Sequence, residues 1–467
     1  MVREKNIVRF RFLPYANVTK ILKNRRLMKC APYWSSAKLQ EWSWERRRAV
    51  LRNAVLNVPF YREAYKLSIE EVAKFTSEDD WCRLPTIDKQ VVLQQPTSFL
   101  SDVRNLRKCV WTHTSGSSGR KLNILLDDNV NAAAFSLFWR AWSSGGYWRL
   151  GQRHAVMKGS SAASGLYVNR KIRALEISSS HVTHEFVEQI AQKLIDYRPK
   201  FMRGYPSSMY HLCKLLEEKK IELDIPMVST GSETLHDFQR KKFEEVLGAR
   251  VFNHYAHWER AASILECQSG QLHAQEDFGV HEILDAGGSP VPPGTPGEIT
   301  VTSLHNMAMP LIRYRTGDIG TWGDVQCSCG QVFPVVQSIE GRLNDSIVKS
   351  DGTIISGTYA AGSFLLNTKI LSAQLIQDDY DVVEVRIVKG QNYVDPTDTQ
   401  EIVKALESRI GKDFRLEIRY CELDELERNP VGKMRQVLNR IGDLNFDQIQ
   451  KGISWTENRG NQKKIST

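Results

Sequence analysis

The chain has 467 residues, eight cysteines and a formal net charge of +9. That length exceeds one simple core, so two or more domains are expected. No apolar run nears the roughly 18–20 residues of a membrane span, the N-terminus lacks the uninterrupted apolar core of a secretory signal, and no nucleic-acid-binding module is recognisable.

The expected location is therefore the cytoplasm, with the cysteines as free thiols or metal ligands rather than disulfides. Residues 1–30 carry nine Lys/Arg against the single acid Glu4, nearly the whole basic excess. With Phe10, Phe12, Leu13 and Tyr15 interleaved, this arm suits peripheral contact with an anionic membrane surface, and equally a solvated basic surface. Residues 36–75 read as helices broken at Val58-Pro59, with Glu45-Arg46-Arg47-Arg48 as an exposed helix face. Asp88 is placed to cap a further helix. Cys109-Val110-Trp111 and Leu122 to Leu126 read as strands, and residues 129–142 as a mostly buried helix. From 150 to 260, strands (Arg153 to Lys158, Val251 to Tyr255) alternate with helices (Val182 to Tyr197, Ser207 to Lys219, Leu235 to Leu247), which argues for an α/β sheet. Residues 276–350 are strand and turn. From 370 to 445, strand Val382 to Val388, helix Asp398 to Ile410 and strand Arg415 to Tyr420 form a second, smaller α/β domain.

Several islands carry chemistry. Thr112-His113-Thr114-Ser115-Gly116-Ser117-Ser118-Gly119-Arg120-Lys121 can wrap backbone N–H groups and hydroxyls around a phosphate chain, because glycine permits close approach and positive φ. Alone it also fits a plain loop, and it is neither the Walker nor the dinucleotide fingerprint. Downstream stand Ser229-Thr230-Gly231-Ser232-Glu233, Asn253-His254-Tyr255-Ala256-His257-Trp258-Glu259, Met309 through Asp318, Gly341-Arg342-Leu343-Asn344-Asp345, and Asn429-Pro430-Val431-Gly432-Lys433-Met434-Arg435. Read singly, Glu259 is a helix cap, Asp318 a turn residue and Gly432-Lys433 a hairpin tip.

In this order and spacing the islands resemble the acyl-adenylate-forming superfamily, in its phenylacetate–coenzyme A ligase-like branch with relatives encoded among capsule and surface-polysaccharide genes. The resemblance spans roughly residues 50 to 440, and Tyr314-Arg315-Thr316-Gly317-Asp318 is its most specific part. It implies an α/β fold: a large multi-layer N-terminal adenylation domain, residues 1–341, and a smaller mobile α+β C-terminal domain, residues 342–467, carrying Lys433. It implies an AMP-forming carboxylate ligase using ATP and Mg²⁺. Thr114, Ser115, Gly116, Ser117, Ser118 and Gly119 would cradle phosphates. Glu259 would hold Mg²⁺, and Gly231, Ser232, His254 and Tyr255 would frame adenine. Asp318, with Arg342, would take the ribose, and Lys433 would reach the α-phosphate. The small acid would meet Trp139, Tyr205, Pro206 and Ala256.

The pattern departs from the family at three points. Gly119-Arg120-Lys121 stands for Gly-Lys-Pro, and Asn344 for the first acid of the hinge pair. Lys349 to Ile355 replaces a glycine-rich piece of the coenzyme A tunnel. The expected acceptor is therefore a sugar or other amine or hydroxyl in surface-polysaccharide biosynthesis. Alternatives are a coenzyme A thioester ligase and a non-catalytic nucleotide-binding scaffold. A homodimer is left open.

Cys267 with His273 (C-x5-H) and Cys327 with Cys329 (C-x-C) supply three thiolates and one imidazole, the donor set of a closed structural zinc site. Unrelated thiols and a surface histidine are the bland reading. Some relatives in the resembled family carry zinc at matching positions.

Overall fold

A computed structural model of the chain describes residues 18–114, 121–143, 152–158, 165–324, 326–342, 345–351, 354–355, 357, 360–361, 364, 369–428 and 434–441. By internal contacts these residues form two units, a first ending at Ile339 and a second starting at Glu340.

The first unit opens with helices α1 (Val18–Cys30), α2 (Ser36–Asn57), α3 (Pro59–Tyr65), α4 (Ile69–Ala73), α5 (Glu78–Cys82) and α6 (Lys89–Gln94). The Ser35 side chain caps α2, Ser68 and Glu71 form a capping box on α4, and Asp88 Oδ1 accepts from the Val91 amide at 2.8 Å to start α6. Pro59 cannot continue α2, so the chain turns there and begins α3.

One expectation is corrected here. The cluster at 45–48 is not an exposed face: only Glu45 faces solvent fully. Arg46 donates to the Leu304 carbonyl and Arg48 to that of Phe75. Arg47 is buried, pairs with Glu78 at 2.7 Å, and lies over the rings of Trp44 and Trp81. A guanidinium stacks on indole and keeps its in-plane donors, so helical period alone cannot mark such a cation as solvated.

Strands β1 (Cys109–His113) and β2 (Asn123–Asp127) pair antiparallel and flank residues 115–120. Helix α7 (Asp128–Ser143) follows. The main sheet holds β3 (His154–Lys158), β4 (Leu166–Asn169), β5 (Ala174–Ser178), β6 (Met202–Gly204), β7 (Met227–Gly231), β8 (Arg250–Ala256), β9 (Ser263–Glu266), β10 (Leu272–Ala274), β11 (Gly279–Leu284), β12 (Pro296–Ser303), β13 (Tyr314–Trp322) and β14 (Val335–Arg342). Their order is β11-β12-β13-β14-β10-β9-β8-β7-β6-β3-β5-β4. The strands from β5 through β3, β6 and β7 to β8 run parallel, with β4 antiparallel at the edge. Helices α8 (Val187–Tyr197), α9 (Pro206–Glu218) and α10 (Asp237–Leu247) make the crossovers such pairing requires. Val187, Ile190, Ala191 and Leu194 form the buried stripe of α8. That helix starts later than the apolar pattern from Val182 suggests, because a 3-10 turn at Ser179–His181 comes first.

The second unit has β15 (Ile347–Val348) with β16 (Ile354–Ile355). A further sheet is ordered β19-β18-β17-β20 from β17 (Ile370–Asp379), β18 (Val382–Lys389), β19 (Arg415–Tyr420) and β20 (Val437–Asn439), with α11 (Thr397–Ile410) joining β18 to its parallel neighbour β19. The α/β class and the large-plus-small division agree with the sequence expectation.

Candidate functional site

The site in the first unit is built where β7, β8 and β13 bring their motif residues together. Gly231 ends β7, and a Cβ there would stand 2.9 Å from the His254 carbonyl oxygen, so the two strands meet closely only because the residue is glycine. The next residue, Ser232, adopts φ +68°. On β8, Tyr255 donates from its hydroxyl to Asp318 Oδ2 at 2.7 Å. Asp318 follows Gly317, whose φ is +77° and whose amide donates to Glu298 Oε1 at 2.9 Å.

The arginines flanking Tyr314 are structural. Arg313 is fully enclosed, pairs with Glu282, and donates to the carbonyls of Cys82, Leu84 and Gly288. Arg315 holds Glu298 at 2.7 Å. Burial pushes the Glu298 carboxyl up, against the pull of Arg315.

Glu259 lies just past β8, buried, with His257 Nδ1 3.0 Å from its Oε2 and the Tyr314 hydroxyl donating to its Oε1 at 3.3 Å. Its oxygens are hard donors already aimed by two neighbours, which suits Mg²⁺. Beside it a small cavity of about 10 Å³ opens, room for about one water, lined by Leu137, Phe138, His254, Ala256, Arg260 and Phe278 among others. His254 is hydrogen-bonded to Ser263 Oγ at 3.0 Å; burial, then the charge of Arg260, push its pKa down to about 3, so the ring is neutral. Burial lowers Arg260 to about 10, so it remains a cation at neutral pH.

Of the four residues expected around the acid, Ala256 lines the cavity. Trp139 lies elsewhere: the Arg25 guanidinium covers its ring at 3.6 Å. Tyr205 and Pro206 start α9, with Tyr205 as its N-cap residue. His257, Arg260, Phe138 and Phe278 were not singled out from the sequence. The one available signal was a cation directly after the acid in Trp258-Glu259-Arg260.

Thr114 is described and exchanges hydrogen bonds with Leu122, its amide to the carbonyl at 3.0 Å and its hydroxyl from the amide at 3.1 Å. Ser115, Gly116, Ser117, Ser118 and Gly119, together with Asn344 and Lys433, lie outside the described residues. Arg342 is exposed at the end of β14, in the second unit.

The four expected zinc ligands meet. Ligand atoms of Cys267, His273, Cys327 and Cys329 all lie within 4.8 Å of one another. Cys267 Sγ is 3.6 Å from Cys327 Sγ, and Cys329 Sγ is 3.4 Å from His273 Nε2. Tetrahedral Zn²⁺ with the usual bond lengths separates two sulfurs by about 3.8 Å, so the spacing fits. His273 Nδ1 donates to the Phe333 carbonyl at 2.9 Å, which orients Nε2 toward the thiols. Cys267 comes from the β9–β10 turn, His273 from β10, and Cys327 and Cys329 from the segment between β13 and β14.

Known proteins resemble this chain in sequence and fold. The family described as CapK C-terminal domain matches residues 347–440. Protein CapK of Staphylococcus aureus is 23% identical over 410 residues, covering 82% of this chain and 86% of that protein. Phenylacetate–coenzyme A ligase of Thermus thermophilus is 24% identical over 320 residues, covering 67% and 72%. These relatives are the capsule-associated and phenylacetate–coenzyme A ligase proteins that the sequence motifs resemble. The fold of this chain matches a solved structure of 2-hydroxyisobutyryl-CoA ligase in the postadenylation state with R3-HIB-AMP, at a TM-score of 0.71 and 19% identity, covering 88% of this chain and 91% of that one. The Thermus relative and this structural neighbour are coenzyme A ligases by name. Among the described residues no helix is long and apolar enough to cross a membrane.

Proposed function

We propose that this ligase activates a small carboxylic acid at the first-unit site and passes the acyl group to an acceptor. The observation that carries the reading is the convergence of Gly231, Tyr255 and Asp318, with Glu259 beside the cavity. The acid carboxylate attacks the α-phosphorus of ATP, the bond to pyrophosphate breaks, and acyl-AMP forms. Asp318, oriented by Tyr255, takes the ribose hydroxyls with Arg342. Gly231, Ser232, His254 and Tyr255 frame adenine. Thr114 and Ser115 to Gly119 hold the β- and γ-phosphates, and Lys433 supplies a point charge at the α-phosphate. Glu259 holds Mg²⁺, which when bound neutralises phosphate charge. Residues 1–341 form the adenylation domain and 342–467 the lid, turning about 343–345. Cys267, His273, Cys327 and Cys329 hold a structural Zn²⁺ that ties two strand segments together.

The acceptor is an amine or hydroxyl, in surface-polysaccharide biosynthesis, consistent with Lys349 to Ile355 standing where a coenzyme A tunnel is glycine-rich. The second reading is coenzyme A, favoured by relatives that are coenzyme A ligases by name. Incubation with acid, ATP and Mg²⁺, followed by chromatography, tests the activation step: AMP and pyrophosphate are expected in equal amounts. Lys433→Ala is expected to slow their release far more than the transfer step; an unimpaired adenylation rate removes Lys433 from its role. Adding coenzyme A separates the acceptors, because free thiol disappears only if a thioester forms.

A further inference from the structure

The large apolar side chains most open to solvent are not scattered over the first unit. Among the described residues the four most exposed are Val103 (69%), Tyr33 (67%), Leu106 (60%) and Leu22 (58%). All four lie in two short stretches: α1 with the 3-10 turn Ala31–Tyr33 that follows it, and the loop of residues 102–108. The stretches are neighbours at one end. Lys20 of α1 reaches Asp128 at 2.6 Å, and the adjacent Asp127 stands opposite Cys109, the residue directly after the loop, in the β1–β2 ladder.

Both stretches are basic. Helix α1 carries Lys20, Lys23, Arg25, Arg26 and Lys29 and no acid. Ile21, Asn24 and Met28 are its buried stripe against the unit, so Leu22, Lys23, Arg26 and Lys29 form the outward face. In the loop, Arg107 and Lys108 are exposed, and the one acid, Asp102, is taken by Arg62 at 3.0 Å. Ahead of α1 the sequence adds Arg3, Lys5, Arg9 and Arg11 against Glu4.

A single exposed leucine needs no explanation, and a cation is well solvated in water. Apolar tips set among cations, with no free acid between them, match an anionic bilayer. Headgroup charge attracts the cations while the tips enter the boundary between headgroups and acyl chains. Nucleic acid would match the cations alone and leave the apolar tips in water.

We propose that α1 and the 102–108 loop form a docking face for an anionic lipid surface. Leu22, Val103 and Leu106 enter the interface, and Lys23, Arg26, Arg107 and Lys108 meet the headgroups. The docking is peripheral, as no helix among the described residues is long and apolar enough to cross a membrane. It goes beyond the reaction read from the first-unit site and does not depend on it.

The test is co-sedimentation of the full-length protein with unilamellar vesicles of phosphatidylcholine, alone or with about 30% phosphatidylglycerol, at roughly 50 and 500 mM salt. Three double variants are compared with the wild type: Lys23→Glu with Arg26→Glu, Val103→Asn with Leu106→Asn, and, as a charge control in the second unit, Lys404→Glu with Lys412→Glu. All six positions are exposed, so the fold should be unaffected, which circular dichroism and Tm check. The wild type is expected to bind the phosphatidylglycerol vesicles at least about 10-fold more tightly than the neutral ones, and to lose that preference at high salt. The α1 variant should bind about 10-fold more weakly and the loop variant several-fold more weakly, with the control within about 2-fold of wild type. Absence of vesicle binding at low salt, equal weakening by the control, or unaltered affinity in either the α1 or the loop variant overturns the proposal. Retention of a double-stranded oligonucleotide at low salt without vesicle binding also overturns it, and assigns the basic face to nucleic acid.

Discussion

The Tyr255 hydroxyl donates to Asp318 Oδ2 at 2.7 Å although their strands, β8 and β13, are four steps apart in sheet order. Four steps of a flat sheet span about 19 Å, beyond the reach of one tyrosine. The sheet must therefore curl between them, and its right-handed twist supplies the means. This bond closes the curl at the site and orients the Asp318 carboxylate.

Tyr255→Phe removes that bond without emptying the space. It is expected to raise KM for ATP about 3- to 10-fold and to lower stability by about 1 kcal/mol. Asp318→Asn should raise the same KM further. Steady-state kinetics at saturating acid checks both, and an unchanged KM in both variants removes Asp318 from nucleotide binding.

His257 aims Glu259 through a 3.0 Å contact. Replacing His257 by Ala should raise the Mg²⁺ concentration needed for half-maximal activity several-fold, while Glu259→Gln should nearly abolish activity at any Mg²⁺. A Mg²⁺ titration of each variant reads the difference. A His257→Ala curve that overlays the wild type would place this histidine outside the metal's surroundings.

Elemental analysis of the purified protein should find about one zinc per chain. Cys327→Ser or Cys329→Ser should lose it, and a strong chelator should lower Tm. Protein without stoichiometric zinc contradicts the assignment.

Three histidines make the fold acid-sensitive. Burial pushes His254 to about 3 and His154 and His305 to about 4, below the ordinary value of 6.5. The unfolded chain then binds more protons in that window, so this stability is complete above pH 6.5 and is lost as pH falls toward 4, at up to about 1.4 kcal/mol per pH unit for each histidine. His154 is stacked on Phe201 at 5.0 Å and Trp142 at 6.3 Å, so His154→Phe fits the same ring stack. It should move the acid unfolding midpoint to lower pH; a midpoint unmoved in this variant would remove His154 from the cause.

Much of this was legible in the sequence. The strand–loop–strand around 115–120, the alternating α/β segment from 150 to 260 and the small domain's strand–helix–strand follow hydrophobic period and turn residues, which are local. The zinc ligands were found through the family resemblance, because the C-x-C spacing alone fits unrelated thiols as well. Arg47 and Arg260 were missed for one reason: each stacks on an aromatic ring far away in sequence, Trp81 and Phe138, and such pairing leaves no mark in local pattern. Trp139 was misplaced for the same reason, because Arg25 of α1 covers it. The curl that joins Tyr255 to Asp318 is likewise a property of the whole sheet.

The most direct test of the central claim is carboxylate-dependent exchange of labelled pyrophosphate into ATP, with wild type and Glu259→Gln side by side. It needs no acceptor, so it isolates acyl-adenylate formation. Exchange that requires one class of acid, and that Glu259→Gln abolishes, is the predicted result. ATP binding at the site with no exchange across the full acid panel would contradict it.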